Sequence, residues 1–514
     1  MKKNMFNTIY RLFTTLLIVA GLSSCDDYLD TIPTTSVPES VVIDNVENLQ
    51  TLLNGTWSTY MDTYFTFANP GYASILRASD AMGSDVAVVR GRYGYLSPYD
   101  YLEMHTRVGT RVNAFWSILY TAINSNNIIL ANVDNIPGDD ALRQQLKGQS
   151  LAFRAHSYLT LASFYQLSYL KDPDVKTAPI YTEPTGPQTV GNPKATLKEI
   201  FDLVIRDLTA AEALLDGYQR PASQKYKINK QVVQALLARA YLQTGNWEAA
   251  AQKAAAARTG YALMSGEEYG AGFNDLANAE WIWGHGQRPD QSVASYHFHF
   301  LDVTTPASYY YSFMADPHFK EYFEEQDVRS RLFSWDNAAP ARYGLLRYAK
   351  FKFREDMTGD IVLIRAAETY LIQAEAYARL NRLEESASAL NQLRTARNAT
   401  PLSLAGRTQN DVIAEVLLER RKELWGEGFA LADIIRTQGK VERRAYTTVN
   451  PQGETVPVRV TITLPDGRTQ TVNAIGHTTT RTENNAGAEF TVNSPYYIFG
   501  IPENESNNNP NLNN

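Results

Sequence analysis

Apolar residues recur at three- and four-residue spacing through most of the chain, which is the period of a helix with one buried face. The pattern predicts helices over residues 41–62, 111–132, 140–169, 197–215, 230–244, 247–258, 366–380, 383–397 and 411–425. Asp139 or Asp140 stands where the third needs an N-cap. Residues 171–194 hold five prolines and read as loop. Two long stretches, 64–108 and 261–358, break the period. They are rich in Gly, Tyr, Trp and Phe and carry short alternating runs, so they read as loops and short strands laid over a helical scaffold. Within them, Trp281-Ile282-Trp283 reads as a buried strand. Residues 456–472 alternate on both sides of Pro465-Asp466-Gly467, and Asp-Gly between such runs predicts a β-hairpin.

Two of the helical stretches repeat a theme. Ala238, Ala240 and Tyr241 precede the turn Gly245-Asn246, and Ala374, Ala376 and Tyr377 precede a turn at Asn381. Helix, short turn, helix, with small residues at the packed positions, is the tetratricopeptide pattern. The predicted fold is therefore mainly α: tetratricopeptide-like helix pairs form a scaffold, and loop-rich and hairpin insertions carry any ligand surface.

The N-terminus departs from this texture. Lys2, Lys3 and Arg11 precede an apolar run over residues 12–22, and the small residues Ser23 and Ser24 then lead to Cys25. These are the parts of a secretory signal. The apolar run is about half of the roughly 20 residues that a membrane span requires. Leu22-Ser23-Ser24-Cys25 matches the bacterial lipobox, and Cys25 is the only cysteine. Residues 1–24 are thus expected to be an export signal, Cys25 the lipidated anchor and residues 25–40 a tether, with 41–514 as one domain carrying an insertion near 450–490.

Charge narrows the function. Loss of Lys2, Lys3 and Arg11 with the signal takes the formal charge from −7 to −10, and an acidic chain lacks the cation excess that nucleic-acid binding needs. No GxSxG elbow, P-loop, HExxH or dinucleotide fingerprint is present, and no cofactor is implied. His297 and His299 would share one side of a strand and could bind a metal, but packed or solvated histidines are the preferred reading. Glu324-Glu325 and Asp26-Asp27 are adjacent carboxylates, which do not face one another across a substrate. The informative residues are aromatic, 31 of them tyrosines. Arg90, Tyr93, Tyr95 and Tyr99 lie in a Gly- and Pro-broken stretch, and Tyr309 and Tyr311 lie in a second cluster. Flat rings stack on sugar faces while nearby polar groups bond the hydroxyls; the same surface can hold a peptide, or the rings can pack against helices.

Several segments, in order along the chain, carry a resemblance. They are Ser24-Cys25-Asp26-Asp27-Tyr28; residues 116–130 with Tyr120, Ile123 and Asn127; Phe153-Arg154-Ala155; and Leu363-Ile364-Arg365-Ala366-Ala367-Glu368. Next come residues 419–428, from Glu419-Arg420-Arg421-Lys422-Glu423 to Gly428, then Asp433-Ile434-Ile435-Arg436, Gly500-Ile501-Pro502 and Asn509-Pro510. Together they resemble the SusD/RagB family of surface lipoproteins. The resemblance implies a non-catalytic protein at the outer-membrane surface that captures oligosaccharide and lids a SusC-like TonB-dependent transporter. It also implies ligand contacts from the aromatic-rich segments, the regions of Tyr93, Tyr95, Tyr309 and Tyr311. A peptide-binding protein of the same build, a lipid-anchored glycoside hydrolase and a purely structural adaptor are the competing readings.

Overall fold

The computed structural model describes residues 43–61, 71–89, 94–290, 296–477 and 490–512. The lipobox and tether, with Cys25, lie outside them, as do Arg90 and Tyr93. Among the described residues no helix is long and apolar enough to cross a membrane.

The periodic stretches fold as helices close to their expected bounds. The longer helices are α1 (Val46–Met61), α2 (Ala73–Ala81), α3 (Thr110–Asn132), α4 (Asp140–Phe164), α5 (Leu197–Leu214), α6 (Lys230–Thr244), α7 (Trp247–Ala257), α8 (Ala366–Arg379), α9 (Leu383–Ala396), α10 (Gln409–Leu424) and α11 (Ala430–Arg436), of which α2 and α11 are not expected from the sequence. Helix starts are set by side chains that satisfy the first free N–H groups. Asp139, rather than Asp140, caps α4 by accepting from Leu142 N at 2.8 Å. Thr196 and Thr408 form capping boxes with Glu199 and Asp411. Thr196→Ala is expected to cost about 1 kcal/mol and Thr196→Ser almost nothing, read from urea unfolding midpoints.

The helices stack in sequence order. α3 packs on α4, α4 on α5, α5 on α6, α6 on α7, and α8 on α9 and α10. α7 packs directly on α8, although a long loop-rich stretch separates them in sequence. The seam explains the alanines: Ala238, Leu242, Ala250, Ala251, Ala254, Ile372 and Ala376 form one buried cluster, where short side chains let the helix axes approach. The turns of the two repeats end alike, with Gly245 at φ +76° and Asn381 at φ +58°, left-handed conformations that Gly and Asn tolerate best.

The remaining chain lies over this stack. β1 (Val86–Val88), β3 (Phe313–Ala315), β5 (Leu346–Tyr348) and β4 (Phe333–Trp335) form an antiparallel sheet in that order, while β2 (Trp281–His285) pairs with β6 (Ile361–Arg365). Trp281 and Trp283 are buried, as expected of core residues. The predicted hairpin forms from β7 (Arg459–Thr463) and β8 (Thr469–Asn473), in register from Arg459 opposite Asn473 to Thr463 opposite Thr469.

Four expectations are corrected. α2 and α11 are helices in stretches without a clear period; α2 is buried along its whole length, so no polar face marks it. Residues 176–179 and 194–196 pair as a short ladder inside or beside the expected loop. α4 ends at Phe164 rather than near 169. His297 and His299 sit on a short helix, Tyr296–Leu301, so they do not share a side as they would in a strand. Phe298, Phe300 and Leu301 are all buried, and a run buried all round has no alternation to separate helix from strand.

Candidate functional site

The loop-rich half is held to the helices by ions rather than by apolar packing alone. Glu419, Glu423 and Glu427 recur every four residues at the end of α10 and the turn beyond it, and all three face inward. With Glu280 and Asp327 they meet Arg329, Lys350, Arg365, Arg397 and Lys422. These five carboxylates and five cations are each at most 5% exposed, and Arg394, 10% exposed, adds a sixth cation 2.8 Å from Glu419. Glu423 bonds Arg329, Arg365 and Arg397 at 2.8, 2.6 and 2.8 Å. Burial alone would raise its pKa, yet Arg397, Arg365 and Arg329 hold it well below the usual carboxylate range. The same balance holds Glu419 at about 2. Gly428 makes room beside this frame: it lies at φ +92°, and a Cβ there would come within 2.5 Å of Leu76 on α2. Other segments of the sequence motif also act as brackets. Tyr120 Oη donates to Pro179 O at 2.8 Å, and Arg154 bridges Asn127 and Asp207 at 2.9 and 2.8 Å.

The tyrosine clusters are sorted by this scaffold. Tyr95 and Tyr99 are fully buried, so neither presents a ring face to solvent. Pro98 lies in a helical turn, Leu96–Tyr99, in which Tyr99 N donates to Tyr95 O at 2.9 Å. That turn places both rings, four residues apart, on one inward face. Tyr95 packs edge-on against Phe300 and Phe313 with ring centroids 4.9 and 5.6 Å away, under the Arg111 guanidinium at 4.6 Å. Tyr99 Oη bonds His477 Nδ1 at 2.8 Å, and Arg443 lies 4.0 Å over its ring.

Tyr309 is the opposite case, at 73% exposure. One face of its ring stacks on His299 with centroids 4.3 Å apart, and Phe353 packs on His299 at 4.7 Å. The other features of the loop fix that pose. Tyr309 N donates to His299 Nδ1 at 3.1 Å, Tyr311 N donates to His299 O at 2.8 Å, and Ser308 Oγ donates to the same carbonyl at 2.8 Å. Burial lowers the His299 pKa to about 4, so the ring is neutral at pH 7 and accepts through Nδ1. Tyr310 stacks inward on Phe300 at 4.4 Å.

Tyr311 is half-buried in the left-handed region, at φ +42°. The Arg342 guanidinium lies 3.3 Å over its ring, and Arg342 Nη2 donates to Tyr311 O at 3.1 Å. Asp336 is fully buried and accepts from Arg342 Nε at 2.8 Å and from Arg347 Nη2 at 2.5 Å. Burial pushes its pKa up, but Arg347 and Arg342 override this and leave it below the ordinary value. Two guanidinia on one carboxylate leave the cluster with one positive charge beside an exposed aromatic face. Asp336 is too enclosed to act as an acid or base. The cluster therefore suits binding: a ring to stack on, and N–H edges to bond hydroxyls or anions.

The sheet brings the two tyrosine-rich stretches together. β1 pairs with β3, and Val89 N donates to Ser312 O at 2.9 Å, so Val89 lies beside the end of the Tyr309–Tyr311 cluster. Sequence reasoning missed Arg342, Asp336 and Phe353, and singled out His299 only as a possible metal ligand or packed side chain; Asp336 and Arg342 lie six residues apart in a loop without a period, so no pattern marks the pair. A separate groove of about 440 Å³ runs between α10, α11 and the turn at Ser84-Asp85, lined by Arg421, Trp425, Lys440 and Val492.

Comparison with known proteins agrees with this architecture. A model described as "SusD family" matches residues 344–514, and one described as "Starch-binding associating with outer membrane" matches residues 27–242. SusD-like protein P38 of Formosa agariphila is 24% identical over 507 residues, covering 86% of this chain and 93% of that protein. A solved SusD-like carbohydrate binding protein from Bacteroides vulgatus is 40% identical, with 91% of this chain and 97% of that chain covered and a TM-score of 0.84. A putative sugar binding protein from the same species is 25% identical, covers 91% and 98%, and has a TM-score of 0.73. Matched by family models toward both ends, and by a 40% identical solved structure over 91% of its length, the chain belongs to the SusD family.

Proposed function

We propose that the protein captures oligosaccharide at the outer face of the outer membrane and delivers it to a partner TonB-dependent transporter of the SusC type, without catalysing a reaction on it. The observation that carries this reading is the Tyr309 ring: exposed on one face, backed on the other by neutral His299, and flanked by the Arg342–Tyr311 stack. Stacking on a sugar's C–H face removes apolar area from water, and a guanidinium edge bonds the hydroxyls beside it. The family assignment and the carbohydrate-binding description of the 40% identical relative support the ligand class. Of the residues singled out by sequence, Tyr309 and Tyr311 are retained as ligand contacts; Tyr95 supports Phe300, on which Tyr310 stacks, and Tyr99 is a core residue bonded to His477. Residues 1–24 act as the export signal, Cys25 carries lipid, and residues 26–40 tether a single domain that swings over its partner.

Calorimetry on a chain starting at residue 26, against a panel of oligosaccharides and peptides, tests the reading. The expected result is saturable binding of at least one oligosaccharide class with no new reducing ends. Binding confined to peptides, or release of shortened sugars, would overturn it. Labelled fatty acid is expected to enter the full chain and to be lost in Cys25→Ala.

A further inference from the structure

The hairpin formed by β7 and β8 is the one sequence motif that the binding reading leaves without a role. One of its faces carries Arg459, Thr461 and Thr463 opposite Asn473, Thr471 and Thr469, all exposed. The other carries Val460 opposite Val472 and Ile462 opposite Gln470, with Ile462 buried at 2%. Such a split means that one face rests on the body of the protein.

What it rests on is the loop bearing Arg342. Near the hairpin tip, Asn337 Nδ2 donates to Thr463 O at 2.6 Å. At its base, Ile475 N donates to Gly344 O at 2.8 Å. Gly344 lies at φ +90°, and a Cβ there would sit 2.0 Å from Asn473 O, so the two backbones touch at a point only glycine permits. The hairpin therefore spans the loop from residue 337 to residue 344. That loop is closed by Asp336 N donating to Leu345 O at 2.8 Å, and it holds Arg342 over Tyr311. Tyr311 in turn is bonded to His299, on which Tyr309 stacks.

We propose that the hairpin is a strut: it presses the 336–345 loop onto Tyr311 and so fixes the pose of the Tyr309 platform, without touching ligand itself. The contacts form one unbroken series from Thr463 through Asn337, Asp336, Arg342 and Tyr311 to His299. This makes Arg342 a ligand contact and the hairpin a positioning element for it. The inference rests on the ligand site proposed above, and the test below separates the two.

The hairpin can be removed without opening the fold, because Ala474 N donates to Val458 O at 2.8 Å across its base. Replacing residues 459–473 by Gly-Gly joins ends that already meet. Hydrogen exchange is expected to speed up about tenfold or more at the amides of 309–312 and 336–345, with α8 and α10 unchanged. Affinity for the best oligosaccharide in the calorimetric panel is expected to fall about tenfold. Arg342→Ala should then cost affinity in the intact protein and add little in the excised one, since both act on the same contact. Asn337→Asp, which removes the amide donor to Thr463 and keeps the oxygen that accepts from Arg347 Nη2 at 3.0 Å, should show the exchange effect in smaller degree. Unchanged exchange in the excised protein would overturn the strut. Faster exchange with unchanged affinity would overturn its bearing on the site, and fully additive losses with Arg342→Ala would mean that the hairpin itself meets ligand. If no oligosaccharide binds the intact protein, the binding reading fails while the exchange result still decides the strut.

Discussion

Glu423→Ala is expected to lower the folding free energy by roughly 3–5 kcal/mol, the largest single effect in the molecule outside its apolar core. The side chain accepts from three guanidinia at the centre of a frame closed to water. Removing it leaves Arg329, Arg365 and Arg397 buried with one carboxylate fewer than they need, and that uncompensated charge is the cost. Glu423→Gln should recover only part of the loss, because it restores hydrogen-bond acceptance but not charge. The measurement is the urea midpoint of each variant against the unaltered protein, and a shift no larger than that of Thr196→Ala would show the frame to be dispensable.

The same frame sets the response to acid. The Glu419 pKa drops from 4.5 to about 2 on folding and that of Glu423 is lowered in the same direction, so through the Glu419 window the unfolded chain binds more protons. Stability is therefore fully present above that window and is lost as pH falls through it. Asp316 runs the other way. Burial raises its pKa to about 7, so the folded state holds a proton that the unfolded state releases above 3.8, and its contribution falls as pH rises from 3.8 to 7. Glu423→Gln should flatten the acid limb of a melting-temperature profile and leave the neutral side in place.

Tyr309→Ala is expected to weaken oligosaccharide binding about tenfold or more, roughly 1.4 kcal/mol, while leaving the melting temperature unchanged. The dissociation of the two readouts follows from the geometry. The ring is 73% exposed and stacks on His299, so its loss opens no cavity in the core. Tyr309→Phe should keep most of the affinity, because stacking needs the ring rather than the phenol; Tyr309→Phe as damaging as Tyr309→Ala would make the hydroxyl the contact instead. Tyr95→Ala gives the converse pattern, with stability lost first, since that ring fills space between Phe300 and Phe313.

The helices were legible because each buries one face against the next, which writes a 3.6-residue period into the chain. The hairpin was legible because Asp466-Gly467 supplies the backbone conformation a tight turn demands. The ionic frame was not. Glu419-Arg420-Arg421-Lys422-Glu423 reads as a solvated helix face, and its partners Glu280, Arg329, Arg365 and Arg397 lie far off in sequence; the i, i+4, i+8 spacing of Glu419, Glu423 and Glu427 was the only local sign. The tyrosines divide for the same reason. Composition marks both clusters alike, but a Pro-bearing helical turn draws Tyr95 and Tyr99 inward, whereas tight bonding of the Ser308–Tyr311 backbone to His299 leaves Tyr309 outside. A fold that hides charge and displays an aromatic ring inverts the usual expectation at just the places that matter for binding.

Whether a sugar lies on Tyr309 is decided by a crystal structure of the protein with its best-binding oligosaccharide. The expected result is a sugar ring in van der Waals contact with the outer face of Tyr309, with a hydroxyl or acidic group bonded to the Arg342 guanidinium. A sugar held instead in the groove beside Arg421 and Trp425, with Tyr309 bare, would contradict it.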